Sequence, residues 1–165
     1  MSRFFIALRA VVYGSGFVFL WGWLALSAVR LDRAAGRTLA DALVLRIAGL
    51  ALVVAGGLLA LTCAGLFVAR GDGTPAPFDA PKRFVASGPY RFVRNPMYVG
   101  AVTLLIGFAL FRDAPSVLGV AFAAFFFSNL FVIFVEEPGL ESRFGESYRV
   151  YKRATNRWVP RLAHA

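Results

Sequence analysis

Four apolar runs, each bounded by charge or by proline and glycine, divide this chain. Residues 10–29 carry no charge and are long enough to cross the hydrocarbon of a bilayer, which takes about 20 residues of helix. Arg3 and Arg9 precede them, a charge pattern shared with signal peptides. The run is longer than the apolar part of such a peptide, so it reads as a retained first helix, with Trp21 and Trp23 as belt residues. Residues 42–69 form the second run, in which Arg46 lies one turn inside and can snorkel outward. Gly56, Ala60 and Ala64 fall four apart there, a stripe that lets helices approach closely in lipid. Residues 96–111 and 116–135 are the third and fourth runs, separated by the turn Arg112-Asp113-Ala114-Pro115.

Between the runs lie a polar loop at 30–41 and a longer polar segment at 70–95. The latter opens on the breaker cluster Arg70-Gly71-Asp72-Gly73-Thr74-Pro75-Ala76-Pro77, and loops of this length are often functional. After Glu136-Glu137-Pro138 the apolar pattern changes. Leu140, Phe144, Tyr148 and Tyr151 recur at helical steps with Arg149, Lys152 and Arg153 beside them. That spacing predicts an amphipathic helix, lying on the membrane surface or folded back over the polar loop to cover a site. The expected architecture is an all-α integral membrane protein, one domain over 1–165, with about four transmembrane helices. Segments 70–95 and 136–165 lie together on one side.

Composition strengthens this reading. The chain is 59% hydrophobic with mean hydropathy +0.67, above the apolar share of about 45–50% in soluble domains. Its net charge of +9 is spread over the flanks of the runs, which points to lipid headgroups and topology rather than to nucleic acid. With four spans, the amino terminus, the 70–95 segment and the tail share one side and hold 13 of the 18 Lys and Arg residues. The positive-inside rule places that side in the cytoplasm. Cys63, the single cysteine, excludes an intrachain disulfide and a cysteine-cluster metal site, and the place of His164, the single histidine, in the terminal tail argues against a histidine metal site or a Ser/His/Asp triad.

The chemistry concentrates where the third run begins. In Gly88-Pro89-Tyr90-Arg91-Phe92-Val93-Arg94-Asn95-Pro96-Met97-Tyr98-Val99-Gly100, Gly88-Pro89 makes a turn, Asn95 is placed to cap a helix, and Pro96 suits its first turn. The arginines and the positive end of that helix can hold an anion. The competing reading is a juxtamembrane anchor, with arginines on lipid phosphate and tyrosines in the aromatic belt. The third and fourth runs form a hairpin whose open ends meet, so Arg94-Asn95-Pro96 should neighbour Glu136-Glu137-Pro138 around one pocket. Carboxylates at a helix C-terminus oppose its dipole. Either Arg91 and Arg94 neutralise them structurally, or they bind a ligand with hydroxyls and positive charge whose anionic end meets the arginines.

These residues resemble those of the membrane methyltransferases that include isoprenylcysteine carboxyl methyltransferase and the phospholipid N-methyltransferases. The likeness rests on Gly88-Pro89-Tyr90-Arg91, Arg94-Asn95-Pro96-Met97-Tyr98, Gly100, Glu136-Glu137, Phe144-Gly145, Tyr148, Tyr151 and Pro160, and covers roughly residues 70–161. Gly73-Thr74-Pro75-Ala76-Pro77 looks like the bacterial branch. The resemblance implies S-adenosylmethionine, with its ribose hydroxyls, amino group, sulfonium and carboxylate, bound in a cytosolic pocket over the last hairpin. It implies a lipid-like or lipidated acceptor arriving from the bilayer, an inner-membrane location, and no metal. The implied cofactor-binding residues are Gly88, Tyr90, Arg91, Arg94, Asn95, Pro96, Tyr98, Glu136 and Glu137, with Arg94 and Tyr98 as catalytic candidates. Eukaryotic relatives carry Arg-His-Pro where this chain has Arg94-Asn95-Pro96, and Asn95 cannot titrate near neutral pH.

A carboxylate acceptor needs no base, whereas a protonated amine must first lose a proton. Asp79, Tyr90 and Tyr98 are the loop's candidate bases, and none is strong. By a small margin this favours carboxylate O-methylation, or a thiol or other pre-ionised acceptor, over phospholipid amine N-methylation. Two other classes compete: an NADPH-dependent membrane reductase, and a non-catalytic membrane scaffold.

Overall fold

The computed structural model describes residues 3–40, 42–74 and 82–161. Among these residues the chain is helical, with no strand. The α-helices are α1 (Arg3–Ala34), α2 (Leu43–Leu66), α3 (Pro96–Arg112), α4 (Pro115–Phe131), α5 (Glu137–Phe144) and α6 (Glu146–Ala154). A 3-10 turn, Gly88–Arg91, precedes α3. Three continuous helical stretches are long and apolar enough to cross a membrane: Phe4–Ala34, Leu43–Gly71 and Pro115–Phe144. The third expected span, α3, is a shorter apolar helix of 17 residues.

The boundaries depart from the sequence pattern in three places, each for a local reason. The first helix runs past residue 29 to Ala34 and takes Asp32 out of the expected loop. Asp32 is buried because it accepts from the Ser116 N–H (2.7 Å) and hydroxyl (2.6 Å) and pairs with Arg37 (3.1 Å). It thereby caps α4 from another helix, since Ala114 at the α4 N-cap offers no side-chain acceptor. The fourth helix does not stop at residue 135. It passes through a π-helical turn, Val132–Glu136, directly into α5. Pro138 lacks an N–H and its ring crowds the preceding turn, and widening the helix accommodates it. The tail is not one amphipathic helix but two, broken at Gly145, whose φ of +53 suits a residue without a Cβ.

Packing is tightest between α2 and α3, and glycine makes it so. A Cβ on Gly56 would lie 2.5 Å from the Gly100 carbonyl oxygen, and one on Gly107 would lie 2.6 Å from the Gly49 carbonyl oxygen. Gly49 and Gly56 thus face Gly107 and Gly100 across a seam with a seven-residue period. The expected Gly56–Ala60 stripe lies on this seam, but the second close contact is Gly49 rather than Ala64. On the other side of α3, small residues again set the spacing. Ala25, Ala28 and Val29 of α1 pack with Leu105 and Ala109 of α3 and with Val117, Ala121 and Ala124 of α4. Asp113, in the left-handed turn after α3, accepts from the Leu39 and Ala40 N–H groups and closes this end of the bundle.

Gly56→Ala and Gly107→Ala should each push α2 and α3 apart, at a cost of about 1–3 kcal/mol. Gly119→Ala, whose added methyl meets nothing within 4 Å, is the control. Thermal unfolding in detergent should show lower midpoints for the first two variants and an unchanged midpoint for the third.

Candidate functional site

Two helix irregularities converge on one cavity. The π-helical turn at Phe67–Gly71 follows α2 and is ended by Asp72 in the left-handed region. The turn at Val132–Glu136 links α4 to α5. In both, an N–H reaches back five residues, from Asp72 to the Phe67 carbonyl and from Glu137 to the Val132 carbonyl. Phe67, Val135 and Glu136 from these turns line a cavity of about 160 Å³, together with residues of the 82–95 segment, α3, α5 and α6. The tail therefore takes the second of its two expected arrangements, folded over the polar segment.

The two glutamates, adjacent in sequence, point to different partners because consecutive helical residues diverge by about 100°. Glu137 is only 6% exposed. It meets Arg94 at 2.8 Å, Arg157 through two hydrogen bonds at 2.8 and 3.1 Å, and the Lys152 ammonium at 3.4 Å. Arg94 Nη1 donates to the Lys152 and Thr155 carbonyls, at 2.9 and 2.8 Å. Glu136 is turned to the cavity and accepts the Tyr98 hydroxyl at 3.1 Å. Among the described residues it has no cationic partner, and the buried Nε–H of Arg94 has no acceptor. Both groups belong to residues that line the cavity.

The opposite wall is aromatic. Phe84 packs against Phe144, Tyr148 and Tyr151 with ring centroids 5.5, 6.0 and 5.1 Å apart. Phe67 packs on Tyr90 at 5.2 Å. The Tyr151 hydroxyl donates to the Tyr90 carbonyl at 2.6 Å and ties α6 to the turn before α3. Burial pushes the Tyr90, Tyr148 and Tyr151 phenols well above their ordinary range, so all three stay protonated near neutral pH. Tyr90, expected as a candidate base, is therefore a neutral phenol in a wall.

Of the residues singled out from sequence, Tyr90, Arg94, Asn95, Tyr98, Glu136 and Glu137 line this cavity. Gly88, Arg91 and Pro96 do not. Gly88 makes the turn, with φ +62, Arg91 is exposed, and Pro96 is buried in the first turn of α3. Asn95 occupies the N-cap position, but its side chain does not cap the helix. Its Nδ2 donates instead to the Arg157 carbonyl at 3.3 Å, while the Arg94 and Asn95 N–H groups donate to the Asn156 and Arg157 carbonyls. The chain's own tail thus satisfies the backbone donors just before α3. Asp79 lies outside the described residues.

Sequence reasoning missed Arg157 and Trp158. Hydrogen bonding to Glu137 raises the Arg157 guanidinium pKa above its usual value and keeps it charged. The Trp158 indole N–H donates to Asn129 on α4 at 2.9 Å. An asparagine in an otherwise apolar run was the available signal, because a polar group at that depth needs a partner. Among the described residues, no cluster of three His, Cys, Asp or Glu could hold a metal.

No match to this chain was found among curated proteins. The sequence model of the phospholipid methyltransferase family matches residues 44–147, a stretch that runs from α2 through α3, α4 and α5 into α6. With well over half of its length matched, and with apolar helices of membrane-crossing length, the chain belongs to the phospholipid methyltransferase family and is an integral membrane protein.

Proposed function

We propose that this protein transfers a methyl group from S-adenosylmethionine to a lipid-like acceptor, in a cytosolic cavity at the inner end of α3 and α4. The observation that carries this reading is that two groups of opposite character, each with hydrogen-bonding capacity to spare, belong to residues lining one aromatic cavity. These are Glu136, whose one donor among the described residues is the Tyr98 hydroxyl, and the acceptor-less Arg94 Nε–H. A ligand with a flat aromatic ring, an ammonium or hydroxyls, and a carboxylate suits such a cavity. The ring would stack on the Phe84–Tyr148–Tyr151 wall and the carboxylate would meet Arg94, which leaves Glu136 to the acceptor. S-adenosylmethionine would supply an electrophilic methyl on a sulfonium. The residues' task is to align the acceptor in line with it and to exclude water.

Glu136 moves the acceptor reading from a carboxylate to a lipid amine. An incoming carboxylate would face a second carboxyl group there, whose one donor among the described residues is the Tyr98 hydroxyl. An amine would find a hydrogen-bond acceptor there, and, when that carboxyl is ionised, a group able to take its proton before attack. Carboxylate O-methylation is the competing reading, because a carboxylate acceptor has no proton to lose before attack. Labelled S-adenosylmethionine with host-membrane lipid extract decides between them. Alkali-stable label in a headgroup marks N-methylation, and alkali-released methanol marks an ester. Transfer to no lipid, with stabilisation by NADPH alone, would favour the reductase.

The two glutamates should separate in their effects. Glu137→Ala leaves Arg94, Arg157 and Lys152 crowded around a lost carboxylate and should destabilise the fold by about 3–5 kcal/mol. Glu136→Gln keeps the Tyr98 contact and the fold, and should weaken cofactor binding or methyl transfer by about 1–3 kcal/mol. Unfolding midpoints and cofactor titrations on the same preparations check this. A folded, fully active Glu136→Gln protein would move the chemistry elsewhere.

Orientation belongs to the same proposal, on the strength of the 13-to-5 distribution of basic residues. With Cys63 replaced by alanine, Glu146→Cys should react with an impermeant maleimide only from the cytoplasmic side of membrane vesicles. Ala35→Cys should react only from the other side.

A further inference from the structure

The tail beyond α6 is tied down more firmly than a free end requires. The Arg157 side chain is bound to Glu137, and its carbonyl accepts from both the backbone and the side chain of Asn95. The next residue, Trp158, then turns inward against the membrane helices. Its indole N–H reaches Asn129 Oδ1 at 2.9 Å. Its ring packs edge-on to Phe125 at 5.1 Å and against Tyr98 at 6.4 Å. Trp158 does not itself line the cavity, but Tyr98 does, and the Tyr98 hydroxyl is the single donor on Glu136 among the described residues.

A path of contacts therefore runs from Asn129 through Trp158 and Tyr98 to Glu136. The ring of Tyr98 can swing about its χ1 and χ2 angles unless something stands beside it, and Trp158 stands there. Trp158 in turn is fixed by a hydrogen bond to an amide on α4, about two turns before Glu136 on the same helix. A half-buried amide within an apolar helix holds its partner firmly, because the alternative is an unpaired polar group in an apolar setting. A tryptophan serving only as an interfacial anchor would need neither the bond to Asn129 nor the contact with Tyr98.

We infer that Trp158, anchored on Asn129, is a positioning residue for methyl transfer. It holds the Tyr98 ring so that its hydroxyl stays on Glu136, and so fixes the carboxylate that faces the acceptor. The inference rests on the proposed function of the same cavity. It assigns Trp158 and Asn129 no contact with cofactor or acceptor.

The test uses the full-length chain in lipid nanodiscs, with labelled S-adenosylmethionine and host-membrane lipid extract. It measures kcat, acceptor KM, cofactor affinity and unfolding midpoint for Trp158→Phe, Asn129→Ala, Tyr98→Phe and the pairwise doubles. Trp158→Phe keeps a ring and removes the N–H. Trp158→Phe and Asn129→Ala should each lower kcat by on the order of tenfold, the scale of a small misplacement at the reacting centre. Cofactor affinity and unfolding midpoint should stay near wild type. The Trp158→Phe/Asn129→Ala double should be no worse than the poorer single, and Trp158→Phe should add nothing in a Tyr98→Phe background. Additive losses in that background, or activity that falls only in step with the unfolding midpoint, would overturn the positioning role while leaving the enzyme reading intact. A wild-type protein that transfers no methyl group would overturn the enzyme reading itself, and the role of Trp158 with it.

Discussion

The buried carboxylate of Glu137 is the constraint on which the inner half of this molecule depends. A charge at 6% exposure is tolerated only when it is paired, and here Arg94, Arg157 and Lys152 all approach it. Those three residues come from the segment before α3, from the tail and from α6. The start of one membrane helix, the end of another and the last described part of the chain therefore cannot separate without stranding charge. What this fixes is less Glu137 itself than its neighbour. With Glu137 locked and the helix widened by the π-helical turn, Glu136 is turned towards Tyr98 and the cavity.

The two ends of the bundle solve similar problems by different means. Away from the cavity, Asp32 and Asp113 each accept donors from a distant segment: Asp32 at the start of α4, Asp113 at residues 39 and 40. Between the ends, burial of apolar area cannot drive association, because lipid is as apolar as the helices. Backbone approach takes over through the Gly49, Gly56, Gly100 and Gly107 seam. A rigid α2–α3 pair is what allows α3 to present Tyr98 at a fixed depth beside the end of α4.

What the sequence made legible, and what it hid, follows from the range of each signal. Apolar runs and breakers are local, so the four apolar helices, three of them of membrane-crossing length, the meeting of Arg94 with Glu137 and the fold class could all be read from the chain. The stripe Leu140, Phe144, Tyr148 and Tyr151 was also visible, but not the break at Gly145. That break tilts α6 so that Tyr148 and Tyr151 close on Phe84 together with Phe144. The π-helical turns were hidden because a one-residue widening leaves hydrophobic periodicity almost unchanged; Pro138 was the one local hint. Arg157 and Trp158 looked like ordinary tail residues, because their partners lie far back in the chain at Glu137 and Asn129.

The Asn95 position shows how a departure from a family pattern can be read physically. Asn95 is buried, and its amide donates to the Arg157 carbonyl, which also accepts from its backbone N–H. That task needs an N–H donor, not a proton that comes and goes, and an amide supplies one at every pH. A neutral imidazole could supply the same donor, so a histidine here would not by itself imply acid–base chemistry. In this chain the position tethers the tail across the start of α3. In the proposed reaction with an amine, the proton then falls to Glu136, the cavity carboxyl that has no cationic partner among the described residues. Asparagine at 95 is therefore compatible with methyl transfer: it holds in place the segment from which Arg157 binds Glu137 and Trp158 packs against Tyr98.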